Sequence, residues 1–193
     1  MDKEIIKSMD KGMEKSMDKN MDKSMDKSMD KDIIKNLLQY RSYTLVDQND
    51  NKLIAQKQGQ FILVIFSSYP TLNIEGMKEY LSMLDALSFT HMIIVYHKSI
   101  TPSARKIVET IAVKNIIIEP FKSENLVDIT KHRLFRIHEK ITGDEETEIR
   151  EKYGKKLPKI LTNDAVARWY GFRKGNIIKI IRKHGHVAYR LVN

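Results

Sequence analysis

Four groups of residues in this chain carry side chains suited to chemistry, and each asks for a different reaction. Metal-dependent phosphodiester cleavage needs two or three carboxylates and a lysine around one cation, and a strand puts acid and lysine on one face when they are two apart. Here Glu119-Pro120-Phe121-Lys122 sets them three apart with a proline between, so that constellation does not assemble. His184 and His186 flank Gly185, and two imidazoles without a third ligand read as a solvated turn rather than a metal site. His132 and His138 lack a convincing partner set and read as structural. Gly171 to Gly175 encloses Phe-Arg-Lys without the Gly-Lys-Ser/Thr of a phosphate-cradling loop, and no serine sits in a nucleophile elbow. With Cys 0, disulfides and thiolate metal sites are excluded. The expectation is no catalytic residue, no cofactor and no metal ligand.

Binding chemistry is better represented. In Thr101-Pro102-Ser103-Ala104-Arg105-Lys106, Thr101 caps a helix and Pro102 takes its first position. The free amides and the positive dipole end favour a phosphate oxygen, and Arg105 and Lys106 add charge beside them; an ordinary well-capped helix is the alternative reading. The richest stretch runs from Leu157 to Arg182. Pro158 pushes Leu157 toward extended geometry, so Lys159 and Ile160 open as a strand. Asn163 or Asp164 then caps a helix of about two turns with Val166, Trp169 and Tyr170 on one face, ended by Gly171. Arg173-Lys174-Gly175 makes a basic turn, and Ile177 to Ile181, broken only by Lys179, reads as a central strand. Gly185 closes a turn into a returning strand at His186 to Val192.

This stretch resembles the assembly domain of the fifth-largest subunit shared by eukaryotic-type RNA polymerases, a family with members in archaea and in large DNA viruses. The likeness is carried by Leu157, Pro158, Lys159 and Ile160, by Asp164, Ala165, Val166 and Ala167, and by Tyr170, Gly171, Arg173, Lys174, Gly175 and Ile177 to Arg182. Val95-Tyr96, Ile100 to Ala104 and Ile107-Val108 are similar to the same family's jaw domain. His132 to His138 departs from the family signature by placing Arg136 where proline is usual, and the loop at Lys183 to His186 is shorter.

The resemblance implies a noncatalytic subunit of a multisubunit DNA-dependent RNA polymerase. Its last domain would dock on the largest subunit through Leu157, Pro158, Val166, Arg168, Trp169, Tyr170, Gly171, Arg173, Lys174, Gly175, Lys179 and Arg182. Its N-terminal domain, with the restriction-endonuclease-like architecture of the family's jaw, would set Thr101, Pro102, Ser103, Arg105 and Lys106 beside downstream duplex, touching backbone rather than bases. Trp169, the only tryptophan, reads as packing rather than base stacking. A free-standing DNA-binding regulator and a degenerate nuclease are the rival readings.

Composition sets the bounds on these elements. A chain of 193 residues with 41% hydrophobic and 31% charged side chains suits a globular protein, its apolar runs are too short to span a bilayer, and its start lacks a hydrophobic signal core. An intracellular location follows as an expectation: the nucleus for a cellular protein, a virus factory or virion for a viral one. The net charge of +9 is unevenly placed, because residues 132–193 hold 15 basic against 7 acidic side chains and so carry +8 of it. An anionic partner, nucleic acid or acidic protein surface, is implied.

The expected class is α+β: a small α/β domain over 32–130 and a compact α+β domain over 131–193, preceded by a low-complexity tail over 1–31. That tail repeats Met-Asp-Lys-Ser, with Met at 9, 13, 17, 21, 25 and 29. A period of four stacks like charges at i,i+4 and turns the Met stripe by about 40° per repeat, which favours disorder or transient helix over a long docking helix. Asp32 should cap a helix over Ile33 to Tyr40. Asp47 to Lys52 reads as a polar turn, and apolar runs at Phe61 to Phe66, Met92 to Tyr96 and Asn115 to Ile118 alternate with helical patterns at Glu75 to Leu87 and Pro102 to Ile111. A linker falls near Asp128 to Lys131, and Thr142 with Glu145 forms a capping box for a helix running to Tyr153 and ending at Gly154.

Overall fold

The computed structural model describes residues 28–182 and 185–193. It divides into two compact units, up to Val127 and from Asp128 onward. The structure is mixed α+β, with three separate sheets.

In the first unit an α-helix (α1) covers 28–40. It runs through Asp32, so the expected cap there is overturned: the apolar positions Ile34, Leu37 and Leu38 are buried, and the helix is already formed at Asp30, whose carboxylate accepts from Ser123 Oγ at 2.6 Å. The repeat as far as residue 27 lies outside the described residues. β1 (Thr44–Gln48) and β2 (Lys52–Lys57) flank the polar turn, and β2 returns into β3 (Gln60–Phe66). The two-residue loop Gln58-Gly59 has φ of 48° and 80°, the pair of positive values that matches a tight turn to strand twist. β5 (His91–Tyr96) and β7 (Ile117–Lys122) complete a five-stranded sheet in the order β1-β2-β3-β5-β7. Its last two pairings are parallel, so α2 (Ile74–Ala86) and α3 (Pro102–Ile111) serve as crossovers. Short β4 (Thr71–Leu72) and β6 (Ser99–Ile100) pair beside them.

Both faces of the inner strands are buried, which is why β3 and β5 read as continuous apolar runs. Leu63, Ile65, Met92 and Ile94 meet Met77, Tyr80 and Leu84 of α2 and Ala104 of α3. The opposite face holds Ile62, Val64, Ile93 and Val95, all buried. Pro120 is tolerated because β7 is an edge strand. Asn115 does not begin that strand as expected; at φ 60° it ends a 3-10 turn, a left-handed position that asparagine takes more readily than most residues.

The second unit is a four-stranded sheet in the order β8-β10-β11-β9, made of β8 (Ile137–Lys140), β9 (Lys159–Ile160), β10 (Ile177–Ile181) and β11 (Val187–Val192). β10 is interior, and successive isoleucines serve opposite faces. Ile177 joins Ile141, Ile149 and Leu157 under α4 (Asp144–Tyr153), while Ile178 joins Ile160, Ala167 and Val192 under α5 (Ala165–Tyr170). The capping box is overturned. Gly143, not Thr142, is the cap residue, no side chain caps the helix, and the Glu145 carboxylate turns instead to Lys179 and Tyr189.

Candidate docking and nucleic-acid surfaces

The basic turn between α5 and β10 is fixed from several sides. Asp164 caps α5 by accepting from the Val166 amide at 2.8 Å, and Gly171 at φ 69° closes it in the left-handed region. Asn176 Oδ1 accepts from the Arg173 amide at 2.9 Å, and the Gly175 amide donates to the Val192 carbonyl at 2.8 Å. Arg150 of α4 reaches the Gly175 carbonyl at 2.5 Å while its guanidinium also holds Glu146 at 2.6 Å. The turn therefore presents Arg173 and Lys174 to solvent from a braced backbone, and that backbone has little ordering entropy left to lose on binding. Neither Arg150 nor Asn176 is visible as a brace from sequence, since the Arg150 contact spans 25 residues.

The other expected docking residues divide by exposure. Pro158, Gly175 and Arg182 are exposed, and Val166, Arg168, Tyr170 and Gly171 are half-buried. Leu157 and Trp169 are buried in the unit's own interior, so they shape the surface from beneath. Lys179 donates to Glu145 Oε1 at 2.9 Å, and Tyr189 donates to the same oxygen at 3.1 Å. The Lys179 hydrogen bond holds the Glu145 carboxyl below its usual range, and Glu145 in turn raises Lys179, so this charge is answered within the unit. Tyr170 stacks on Phe172 at 5.1 Å and lies 6.0 Å from the His138 ring. Burial lowers the His138 pKa despite the Arg136 carbonyl 2.7 Å from Nδ1, giving a neutral, structural imidazole two residues after the departure at Arg136. His132 Nδ1 accepts from the Leu134 amide. His184 lies outside the described residues.

In the first unit, Thr101 Oγ1 accepts from the Ala104 amide at 3.2 Å and Pro102 takes the first turn of α3. Ala104 is buried, Ile107, Val108 and Ile111 pack on the core, and Pro102, Ser103, Arg105 and Lys106 are exposed on the other side. Pro102 has no amide hydrogen and Thr101 takes the Ala104 and Arg105 amides, so the helix start offers the Ser103 amide beside two exposed cations.

Glu119 is committed elsewhere. Both its oxygens meet the Arg41 guanidinium at 2.7 Å, and His91 Nε2 lies 2.7 Å from Oε1. Burial alone would push this carboxyl up; Arg41 and the hydrogen bonds from His91 and Arg41 outweigh that and hold it well below the usual carboxylate range. Tyr43 Oη lies 3.4 Å from His91 Nδ1, and Lys122 pairs with Glu124 at 2.6 Å rather than with Glu119. Among the described residues no group of three or more His, Asp or Glu is placed to hold a metal ion, and no helix is long and apolar enough to cross a membrane.

A family model described as "RNA polymerase Rpb5, C-terminal domain" matches residues 127–192. The rpabc1 subunit of DNA-directed RNA polymerases I, II and III from Dictyostelium discoideum is 35% identical over 139 residues, covering 67% of this chain and 71% of its own length. The RPABC1 subunits of Caenorhabditis briggsae and Caenorhabditis elegans are each 31% identical over 138 residues, 68% of this chain and 65% of theirs. A crystallised protein of unknown function aligns at a TM-score of 0.35 and 13% identity over 62% of this chain and 73% of its own, a likeness that carries no argument.

Proposed function

The chain belongs to the family of the Rpb5 subunit of DNA-directed RNA polymerases and is a noncatalytic component of such an enzyme, and from that premise we propose how its two units divide the work. The unit from Asp128 onward is the assembly domain and docks on the largest subunit. Its contact surface is the α5 face and the turn that follows: Arg168, Tyr170, Arg173 and Lys174, flanked by Pro158, Val166, Gly171 and Gly175, with Arg182 beyond and Lys179 reinforcing the sheet beneath. The unit up to Val127 forms the jaw of restriction-endonuclease-like architecture, and the start of α3 borders downstream duplex. Nuclear residence follows for a cellular polymerase.

One observation supports the docking reading most directly: the turn bearing Arg173 and Lys174 is locked by Arg150, Asn176 and Val192 while its cations stay exposed. A rigid cationic projection in a unit carrying most of the net charge suits an acidic protein surface, where both electrostatic steering and low ordering cost favour assembly. For the duplex, the supporting feature is the α3 start, whose Ser103 amide, Arg105 and Lys106 can meet phosphates without reading sequence.

Affinity purification of the tagged chain from its native source tests the assignment. The expected result is recovery of two very large polymerase subunits in equal amount. Arg173→Ala with Lys174→Ala should reduce that recovery, whereas Arg105→Ala with Lys106→Ala should leave it intact and shorten the life of elongation complexes. A solitary chain that binds duplex with a steep salt slope would instead identify a free-standing regulator.

A further inference from the structure

The turn at Arg173 lies at the start of β10, and the far end of that strand carries a second surface of different character. In the antiparallel registers Ile181 stands opposite Ile137 of β8 and opposite Val187 of β11. Cross-strand partners project from the same face, so three aliphatic side chains form one row over three strands. The first turn of α4 reaches this face at Lys179 and Tyr189, through Glu145. One step beyond, Ile137 is 55% exposed and Val187 45% exposed, and Leu134, just before β8, is 63% exposed.

The row ends at an open strand edge. The Ile141 amide donates to the Ile177 carbonyl, so odd-numbered residues along this segment address β10. By alternation His138 and Lys140 turn their amides and carbonyls away from the sheet, and β8 has no further neighbour among the described residues. On the opposite face of these strands Lys140, across from Ile178, and Arg182, next after Ile181, are exposed, as is Arg133 just before β8; among the described residues the ion pairs of this unit, Lys131 with Asp128, Arg150 with Glu146 and Lys179 with Glu145, leave them out. Glu139 is the one acid on β8, and it stands opposite Lys179. A short strand and an outward lysine are devices that keep sheet edges from pairing, but an uncovered aliphatic row beside them works against that protection.

We propose that this edge is a second docking surface, occupied by an extended, acidic segment of another polymerase subunit that adds along β8 and lays apolar side chains over Ile137, Ile181 and Val187. The inference rests on the polymerase-subunit reading. Charge and hydropathy together select the occupant. A nucleic acid would satisfy Arg133, Lys140 and Arg182 yet leave the aliphatic row in water, whereas an acidic peptide added as a strand alternates its side chains, so it pairs the backbone edge, lays apolar residues on the row and turns acids toward Lys140 and Arg182 on the other face. The row sits four residues along β10 from Ile177, about 13 Å at roughly 3.3 Å per residue, so the unit would be gripped at both ends of one rigid strand.

The test is recovery of polymerase by three tagged full-length chains: wild type, the double variant Ile137→Asp with Val187→Asp, and the control Val113→Asp, at a position 85% exposed in the other unit. The expected result is a wild-type melting temperature for all three, with recovery of the large subunits cut about tenfold for the double variant alone. Undiminished recovery by the double variant overturns the second surface and leaves the subunit reading standing. Absence of polymerase from the wild-type eluate overturns the subunit reading itself. Should the aspartates lower the melting temperature, a photo-crosslinking residue placed at 137 decides the matter. Crosslinks to an acid-rich peptide of a polymerase subunit support the surface; crosslinks to DNA, to a second copy of this chain, or to nothing overturn it.

Discussion

Glu119 shows how a residue that looks catalytic becomes structural once its neighbours are in place. Its side chain is 19% exposed and that of Arg41 5%, and the solvation that folding removed from the carboxylate is replaced by Arg41 and His91. Removing one partner of such a pair leaves a buried charge unanswered. Glu119→Gln should therefore lower stability by about 3 kcal/mol at neutral pH, measured by denaturant unfolding of the purified chain. Because the folded carboxyl is held below its unfolded value near ~4.3, the stabilisation is fully present above that value. It is lost as pH falls below it, so the gap between wild type and Glu119→Gln should narrow between neutral pH and pH ~3. A gap independent of pH would contradict the ion-pair account. Arg150 makes a matching case in the second unit: Arg150→Met should leave the turn's cations in place but free its backbone, reducing polymerase recovery in the same direction as loss of Arg173 and Lys174, with a smaller effect. Recovery equal to wild type would separate the brace from docking.

Elements obeyed their sequence signals where local chemistry was sufficient, and departed where a distant partner competed. Gly76 in α2 illustrates the competition. Gly→Ala in a helix normally stabilises by up to ~1 kcal/mol, but a Cβ here would stand 2.9 Å from the Tyr69 ring, which packs edge-on against Tyr80 and bonds Glu79. Gly76→Ala should accordingly lower the melting temperature, and a rise would show that Tyr69 moves freely. Asp164→Ala removes the cap of α5 and should cost about 1 kcal/mol in unfolding free energy. That cap, Gly171, Pro102 at the start of α3 and the apolar runs of β3 and β5 were all legible, because each is a local rule of dihedral angle or periodicity. The capping box at Thr142 and Glu145 does not form because Glu145 is drawn to Lys179 and Tyr189, 34 and 44 residues away. The hairpin of β1 and β2 shows in the sequence only as its polar turn, since β1 is exposed throughout and has no apolar alternation. Arg41 and His91 carry no local signal, and Glu119 shows only an acid at the wrong spacing from its lysine; the three converge through tertiary structure, not spacing.

For the whole molecule, the placement of charge is the feature that joins sequence to function. The unit from Asp128 onward carries nearly all the excess positive charge and also matches the Rpb5 C-terminal domain, while the +9 total is otherwise nearly cancelled along the chain. Docking through exposed cations should weaken as salt screens them, with a Debye length shrinking from about 10 Å at 0.1 M to about 3 Å at 1 M. Polymerase retention on the tagged chain should therefore fall with salt more steeply for wild type than for the Arg173→Ala, Lys174→Ala variant, which has already lost the screened contacts. Equal slopes would show that these two cations do not carry the salt-sensitive part of docking. The residues proposed to face the largest subunit rest on resemblance, because composition names the sign of a partner and not its identity. The most direct test of the central claim is the stoichiometry of the native complex, by quantitative mass spectrometry of the tagged chain and its partners after gentle purification. The account predicts the chain and the two largest polymerase subunits in equal molar amounts; a chain recovered alone, or in trace ratio to them, would contradict it.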